Sequence, residues 1–306
     1  MKPLRLGTRG SPLALKQAHD VRDRLIASGL AAGDVSITIF KTSGDRIQDR
    51  PLSEVGGKGL FTKELEDALL AGEIDAAVHS MKDVATTLPA GLAIAVVLQR
   101  EDVRDAFICL NHKRLADLPI GAVFGTSSLR RQAQLLRLRP DLQIVQFRGN
   151  VETRLKKLAD GVAAATLLAA AGLNRLGMAD RIAEVISADR LLPAAAQGAV
   201  GIEIRADDSR TAHALAPLDH QETHIAIIAE RAFLGTLDGS CRTPIAALAT
   251  LANGQLHFRG EVISPDGRQH VAAARVALPQ EAARMGADAG AEVLARAGAG
   301  LLGARG

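Results

Sequence analysis

The sequence predicts an α/β protein with two lobes and a small C-terminal α+β domain. The chain has 306 residues, which is too many for one ordinary hydrophobic core. Short apolar segments alternate with amphipathic helical segments, which is typical of an α/β fold. After Asp219 the pattern changes to strand-like segments joined at two turn sequences, Asn253-Gly254 and Ser264-Pro265-Asp266-Gly267. An alanine-rich helical segment from Pro279 to Leu302 follows, so we expect a three-stranded antiparallel sheet covered by helices.

Two connectors, Gln99 to Arg104 and Leu192 to Gly198, predict that the chain crosses twice between the lobes. This layout, with a ligand cleft between two lobes, is that of the two-lobed anion-binding proteins. The predicted boundaries are 1–98 with 199–217 for the first lobe, 104–193 for the second lobe and 220–306 for the C-terminal domain.

The composition argues against several classes of function. The net charge of +3 permits an acidic ligand without requiring nucleic acid. The chain has no Trp or Tyr and only 7 Phe, which argues against stacking on nucleic-acid bases. No apolar run approaches the roughly 20 residues of a membrane span. The two cysteines, Cys109 and Cys241, do not make a disulfide framework and no signal peptide is recognisable before Leu4, so we expect a cytoplasmic protein with reduced thiols.

The first candidate site is the turn between a predicted strand, Leu4 to Thr8, and a predicted helix. Ser11 is suited to be the N-cap of that helix and Pro12 its first residue, while Arg9 lies in the turn. A helix N-terminus beside a cation is a ready anion site. A surface arginine beside a capped helix accounts for Arg9 equally well.

The second candidate site follows an apolar strand predicted at Ile74 to Val78. Polar residues that include Lys82 and Asp83 come directly after this strand, and open α/β sheets place their ligands at the carboxyl ends of strands. The alternative is that Asp83 only caps the following turn.

A long polar loop from Thr42 to Gly57 also indicates a function. Its end is similar to a phosphate-binding loop, but Leu52 replaces the first glycine and Gly59 replaces the Ser or Thr that would hold magnesium. We therefore expect Lys58, which glycines flank in this loop, to be a partner for carboxylates.

The predicted second lobe repeats one layout, in which a strand leads through a turn into a helix start that carries arginine. The residues concerned are Thr126, Ser128, Arg130, Arg131, Arg148, Arg154 and Arg175. Asn150 is the predicted N-cap of the helix that carries Arg154. Arginines of a solvated face would be scattered through helix middles, so this pattern favours anion binding.

The stretch from Asp238 to Pro244 places Cys241 in a small polar turn beside Arg242. A thiol there is more reachable and more readily ionised than a thiol in a core. Cys109 lies in an apolar segment and is expected to be an inert core residue. His220 and His224 are one helical turn apart, but no third ligand is evident, so we predict no metal site.

Seven motifs together resemble one family over nearly the whole chain. They are Leu13-Ala14-Leu15, Val55-Gly56-Gly57-Lys58-Gly59-Leu60-Phe61, Val78-His79-Ser80-Met81-Lys82-Asp83-Val84, Gly125-Thr126-Ser127-Ser128-Leu129-Arg130-Arg131, Arg148-Gly149-Asn150-Val151, Gln197-Gly198-Ala199-Val200-Gly201 and Gly239-Ser240-Cys241. On these motifs the sequence resembles the porphobilinogen deaminases, also called hydroxymethylbilane synthases. The motifs are long and occur in order, so chance agreement is not credible.

The resemblance implies three domains, of which the first two resemble type II periplasmic binding proteins. It implies a monomeric transferase of tetrapyrrole biosynthesis, which joins four molecules of porphobilinogen into linear hydroxymethylbilane and releases ammonia. It also implies a dipyrromethane cofactor, attached covalently through Cys241.

The resemblance assigns a role to each residue at a matching motif position. Asp83 is the implied catalytic carboxylate. The implied cofactor-binding residues are Cys241, Lys82, Thr126, Ser128, Arg130, Arg131 and Arg154. The implied substrate-binding residues are Arg9, Ser11, Arg148, Arg175 and Lys58.

The sequence departs from the family pattern at positions that include no proposed catalytic group. These positions are Glu54, Ala85, Ala163, Ala164, Ala196 and Ser240. We expect Ala85 and Ala196 to affect the segments that orient Asp83 and the second connector, and so to affect efficiency. The alternative function is a two-lobed binding module for a small polyanion, which needs the arginine-bearing turns but not Cys241.

Overall fold

The computed structural model describes residues 3–46, 59–237 and 244–302. These residues form two compact units, of which the first comprises 3–46, 59–101 and 198–224. The second unit comprises 102–197, 225–237 and 244–302, and so contains both the second α/β lobe and the C-terminal sheet. The three-domain boundaries stay a prediction.

Strands and helices alternate through both lobes, as the periodicity predicts. The strands are β1 (Leu4–Arg9), β2 (Val35–Phe40), β3 (Ala76–Ser80), β4 (Leu92–Val97), β5 (Asp105–Cys109), β6 (Val123–Gly125), β7 (Gln143–Val145), β8 (Ala165–Ala169), β9 (Glu184–Ile186), β10 (Val200–Arg205), β11 (Ile245–Ala252), β12 (Gln255–Ile263) and β13 (His270–Ala277). The α-helices are α1 (Pro12–Ala27), α2 (Ser43–Arg46), α3 (Lys63–Leu70), α4 (Leu129–Leu138), α5 (Val151–Ala159), α6 (Ala170–Arg175), α7 (Ser209–Leu215), α8 (Gln221–Thr236) and α9 (Ala282–Leu302).

The sheet of the first unit has five strands in the order β2-β1-β3-β10-β4. β1 pairs in parallel with β2 and β3, whereas β10 runs antiparallel to β3 and β4. The prediction that the segment after the second connector returns to the first sheet is therefore confirmed. Helix α1 covers this sheet because Ala18, Val21 and Leu25 recur at helical spacing and are fully buried.

The sheet of the second lobe also has five strands, in the order β7-β6-β8-β5-β9. β6 lies parallel to β7 and β8, and β5 lies antiparallel to β8 and β9. β9 is a strand that the sequence analysis missed. It has only 3 residues, which is too short for a periodic pattern.

The C-terminal sheet has three antiparallel strands in the order β11-β12-β13, as predicted. The turn between β11 and β12 is formed by Asn253 and Gly254, with φ of 51° and 73°, and a left-handed pair of this kind is what an Asn-Gly hairpin requires. Phe233 and Phe258 pack in the core beneath the sheet with ring centroids 5.2 Å apart. The predicted architecture of two α/β lobes and a small α+β domain is confirmed.

β3 ends two residues later than predicted, at Ser80. The sequence analysis ended this strand at Val78 and placed His79 among the polar residues that follow. In the structure His79 is buried and its Nε2 atom lies 3.0 Å from Oε2 of Glu203 on the neighbouring strand β10. A buried polar partner therefore allows a histidine to continue an otherwise apolar strand.

Candidate active site

The first group of predicted site residues lies where β1 and β3 end. These two strands are parallel neighbours, with Leu6 opposite Ala76, so their carboxyl ends lie at one edge of the sheet. Arg9 is the last residue of β1, and a short 3-10 helix, Met81–Asp83, follows β3. As a result Nη1 of Arg9 lies 3.7 Å from Oδ2 of Asp83.

Asp83 remains reachable at this edge. Its side chain is 30% exposed and that of Arg9 is 19% exposed. The separation of 3.7 Å is an ion-pair distance but too long for a hydrogen bond, so the carboxylate keeps its capacity to accept one from a ligand. The guanidinium of Arg9 lies 4.2 Å from the centroid of the Phe61 ring, which fixes the cation beside Asp83.

The other two predicted residues of this edge have different positions. Ser11 is the N-cap of α1, as predicted, and its Oγ accepts from the backbone N–H of Ala14 at 3.3 Å. Lys82 is exposed within the 3-10 helix. Asp83 ends that helix and does not cap it, since the N-cap position belongs to Ser80. The alternative that Asp83 only caps the turn after it stays a prediction.

A buried polar cluster of the first unit was missed by the sequence analysis. It contains the His79–Glu203 pair and, nearby, Glu66, which lies in α3. Burial raises the pKa of Glu66, the nearby hydroxyl of Thr62 opposes this shift, and the charge of Glu203 adds to it. Nothing in the sequence pattern brings α3, β3 and β10 together, so only the packing shows this cluster.

The second group of predicted residues surrounds the start of α4 in the second lobe. Ser128 is the N-cap of this helix, and its Oγ accepts from the N–H of Arg131 at 3.4 Å. Thr126 is buried, and its Oγ1 accepts from the N–H of Ser128 at 3.1 Å. Both hydroxyls therefore order the turn that carries Arg130 and Arg131.

Arg130 and Arg131 are themselves buried and share one carboxylate, which the sequence analysis did not identify. Nη2 of Arg130 lies 2.8 Å from Oδ2 of Asp105, and Nη2 of Arg131 lies 2.7 Å from Oδ1. Asp105 is completely buried, and burial alone would raise its pKa, but the two arginines outweigh that effect and hold the pKa well below its usual range. The carboxylate is therefore charged and saturated with donors.

Arg154 differs from these two arginines because no carboxylate pairs with it in the described part of the chain. It lies in α5, whose N-cap is Asn150, as predicted. Its Nε donates to the carbonyl oxygen of Gly149 at 2.9 Å. Burial, together with the positive charges of Arg131 and Arg148, lowers the pKa of Arg154 to about 10. A half-buried cation, held beside two others, is what an anion-binding site requires.

The remaining predicted residues that the structure describes lie in several different elements. Arg148 is half-buried in the turn before α5, and Arg175 is the last residue of α6. Lys58 and Cys241 lie outside the described residues. Cys109 is half-buried at the end of β5, packed against the core of the second lobe.

Two further features bear on the sequence analysis. Ala196, in the second connector, has φ of 63°, which is the left-handed region that favours glycine, and this explains why the family pattern has glycine there. His224 Nδ1 lies 2.9 Å from Oδ1 of Asp219, and His220 Nδ1 lies 2.9 Å from Oγ1 of Thr223.

Comparison with known proteins identifies the family. Residues 4–213 match the family model described as "Porphobilinogen deaminase, dipyromethane cofactor binding domain", and residues 224–295 match "Porphobilinogen deaminase, C-terminal domain". The chain belongs to the porphobilinogen deaminase family. It is thus an enzyme, a transferase of tetrapyrrole biosynthesis, as the resemblance implies, and most of both lobes corresponds to the cofactor-binding domain of the family.

Curated relatives support the family assignment along nearly the whole chain. A porphobilinogen deaminase of Paracoccus denitrificans is 57% identical over 96% of this chain and 95% of its own length. A chloroplastic porphobilinogen deaminase of Pisum sativum is 53% identical over 97% of this chain and 83% of its own length.

The solved structures that match this chain are distant in sequence. The methionine-binding protein MetQ is 14% identical, with a TM-score of 0.45 over 77% of this chain and 95% of its own. A putative methionine-binding lipoprotein of Bacillus subtilis is also 14% identical, with a TM-score of 0.43 over 71% of this chain and 90% of its own.

Of the helices that the structure describes, none combines the length and the apolar character needed to span a membrane.

Proposed function

We propose that this chain joins four molecules of porphobilinogen head to tail into hydroxymethylbilane, with release of ammonia, and that Asp83 is its catalytic carboxylate. The proposal rests on the different properties of the two groups of predicted site residues. One group offers a reachable carboxylate beside a fixed cation, and the other offers buried arginines in excess of the carboxylates around them.

The arginines fit a dipyrromethane. Each pyrrole carries an acetate and a propionate, so a cofactor of two rings and its growing chain bring several carboxylates to one place. Around α4 and α5, the ion pairs that the described residues form with Arg130, Arg131 and Arg154 involve one carboxylate, that of Asp105. The excess of buried positive charge offsets the desolvation of such ligands.

When bound, the dipyrromethane supplies the primer to which porphobilinogen is added. We assign its binding to Lys82, Thr126, Ser128, Arg130, Arg131 and Arg154. We assign the acids of the incoming substrate to Arg9, Ser11, Lys58, Arg148 and Arg175. The two hydroxyls of the α4 turn act by holding the arginines, because both already bond to the backbone there.

Asp83 acts on the positive charge that develops when ammonia leaves the substrate. A carboxylate about 4 Å from a unit positive charge stabilises it by roughly 4 kcal/mol at an effective dielectric constant near 20. This is worth about three decades in rate. Arg9, with Nη1 at 3.7 Å from Oδ2, orients the carboxylate.

Cys241 is the proposed attachment point of the cofactor, through a thioether. Arg242 favours its thiolate, so it acts during attachment and not in each turnover. We further propose that the enzyme is a cytoplasmic monomer that acts on a small molecule and not on nucleic acid.

Intact mass spectrometry tests the proposal directly. We expect the purified chain to exceed 32.0 kDa by the mass of two pyrrole units, and the excess to vanish in Cys241→Ala. We also expect the wild-type protein to convert porphobilinogen to hydroxymethylbilane. A chain that carries no adduct and only binds small polyanions would instead be the two-lobed binding module.

A further inference from the structure

Asp105 is the centre of a buried hydrogen-bond network in the second unit. Its two carboxylate oxygens accept from Arg130 Nη2 at 2.8 Å and from Arg131 at 2.7 and 3.2 Å. A further donor is Nε2 of Gln197, at 3.0 Å from Oδ1. Asp105 is 0% exposed, so water does not share in these contacts at its surface.

The same side chains hold both connector segments. Nη1 of Arg130 donates to the carbonyl oxygen of Leu192 at 2.8 Å, at the start of the second connector. Nε2 of Gln197, near the end of that connector, also donates to the carbonyl oxygen of Val103 in the first connector, at 2.7 Å. The first turn of α4 is therefore tied to both crossings of the chain through one carboxylate.

The charges of this network do not cancel. Two guanidiniums share one carboxylate, so the group keeps one positive charge in a buried place. Besides their bonds to Asp105, Arg130 donates to the carbonyl oxygen of Leu192 and Arg131 donates to the carbonyl oxygen of Leu167. These hydrogen bonds fix the planes of both guanidiniums. Arg154 lacks such a carboxylate in the part of the chain that the structure describes, and its charge is available to an anion.

We propose that Asp105 is a positioning residue of the anion site. It holds the guanidiniums of Arg130 and Arg131 in one orientation at the start of α4 and ties that orientation to the two connectors. The proposal rests on the proposed function, because the anions concerned are the carboxylates of the dipyrromethane and of the growing chain. Without the Asp105 carboxylate, the guanidiniums of Arg130 and Arg131 keep their positive charge but are no longer held in one orientation.

The test is the rate at which apo-protein, made in cells that lack porphobilinogen, gains the two pyrrole units after porphobilinogen is added. Asp105→Asn keeps the size of the side chain and removes its charge. We expect loading to slow by roughly ten- to hundredfold, as for a misplaced binding group. Asp141→Asn is the matched control, because it removes the carboxylate of another close arginine pair, 2.7 Å from Arg139, on the same unit. It should load at the wild-type rate.

A double-variant cycle separates positioning from general stability. If Asp105 acts through Arg131, then Asp105→Asn with Arg131→Gln loads no more slowly than Arg131→Gln alone. Independent, multiplying effects would overturn the proposal, and so would folded Asp105→Asn that loads at the wild-type rate.

A second variant covers the case in which Asp105→Asn does not fold. Gln197→Met removes the third donor to the carboxylate together with the bond to Val103, and leaves both ion pairs of Asp105. Slower loading of Gln197→Met supports the positioning role, and a wild-type rate overturns it. If wild-type apo-protein itself gains no pyrrole units, the proposed function fails and this inference fails with it, whereas normal wild-type loading with unaffected variants overturns this inference alone.

Discussion

In the first unit Arg9 and Asp83 lie 3.7 Å apart at a partly exposed sheet edge, whereas in the second unit Asp105 is completely buried and holds two arginines at 2.7 and 2.8 Å. Both arrangements join the same side-chain types. They differ in whether the carboxylate has acceptor capacity left. Asp83 can still accept a hydrogen bond from a ligand. The oxygens of Asp105 already accept hydrogen bonds from side chains of the protein, so Asp105 can only hold those groups in place. An ion pair alone therefore does not mark a carboxylate that can act on a ligand, since its exposure and its hydrogen-bond saturation decide this.

The largest effect expected from breaking this contrast is on turnover. Asp83→Asn keeps the side-chain volume and removes the charge that we propose stabilises the cationic carbon, so we expect a loss of about three decades in kcat with the fold retained. The rate of hydroxymethylbilane formation and the circular dichroism spectrum measure the two parts. Asp67→Asn, which removes an exposed carboxylate of the same unit paired with Lys63, is the control. Near-normal turnover of Asp83→Asn would remove Asp83 from catalysis.

The second prediction concerns stability, for which we expect Asp105 to matter more than Asp83. Asp105→Ala leaves two buried arginines without a counter-charge, so we expect a loss of roughly 3–5 kcal/mol in the free energy of unfolding. Asp83→Ala breaks only a partly exposed pair and is expected to cost at most about 1 kcal/mol. Urea unfolding of both variants in the Cys241→Ala background, where bound cofactor adds no stability, gives the comparison. Equal losses in the free energy of unfolding would contradict the prediction that the buried ion pairs of Asp105 contribute more to stability than the partly exposed pair of Asp83.

The third prediction concerns Arg154, which forms no ion pair with a carboxylate among the described residues. Arg154→Gln removes a half-buried charge-assisted donor, so we expect slower cofactor loading or a higher KM by about ten- to hundredfold. Because the pKa of Arg154 is lowered to about 10, the wild-type protein should also lose this affinity as the pH rises through 10, while the variant should show no such step. Arg181→Gln, at an exposed arginine beside Asp180, is the control and should behave as wild type.

The smallest expected effect is on the pH dependence of stability and concerns Glu66, a buried carboxylate that no arginine pairs with among the described residues. Burial raises the pKa of Glu66, so the folded protein binds this proton more tightly than the unfolded chain. The associated stability is present at low pH and is lost as the pH rises through the folded-state pKa. Glu66→Gln cannot ionise, so its Tm should exceed that of wild type at pH 8, and the difference should shrink as the pH falls toward about 4. Glu73→Gln, at an exposed position, should show no such pH-dependent difference, and a constant offset for Glu66→Gln would contradict the prediction.

Local sequence patterns predicted most of the elements and several of the caps. Ser11 and Asn150 cap their helices as expected, because an N-cap depends on the few backbone groups next to it. The strand ends were less accurate. β3 continues through His79 because a partner on β10, more than a hundred residues later in the chain, satisfies the buried ring.

The site was predictable in type but not in arrangement. Arginines after strand-to-helix turns indicated anion binding, and the pattern includes Arg154, whose cation lacks a carboxylate in the described residues. It gave no sign that Arg130 and Arg131 are engaged by Asp105, because that carboxylate lies at the start of β5, a strand that the sequence analysis treated only as core.

The sequence by itself therefore determined the family, the alternation of strands and helices, the helix caps and the residue types suited to anionic pyrroles. These depend on local periodicity and on motifs that are contiguous in the chain. Only the tertiary structure decided that Asp83 stays reachable while Asp105 is saturated, that His79 pairs with Glu203 and that Glu66 is buried near them. These outcomes depend on which distant strands become neighbours, since burial and hydrogen-bond saturation belong to the packed molecule and not to any single stretch of it.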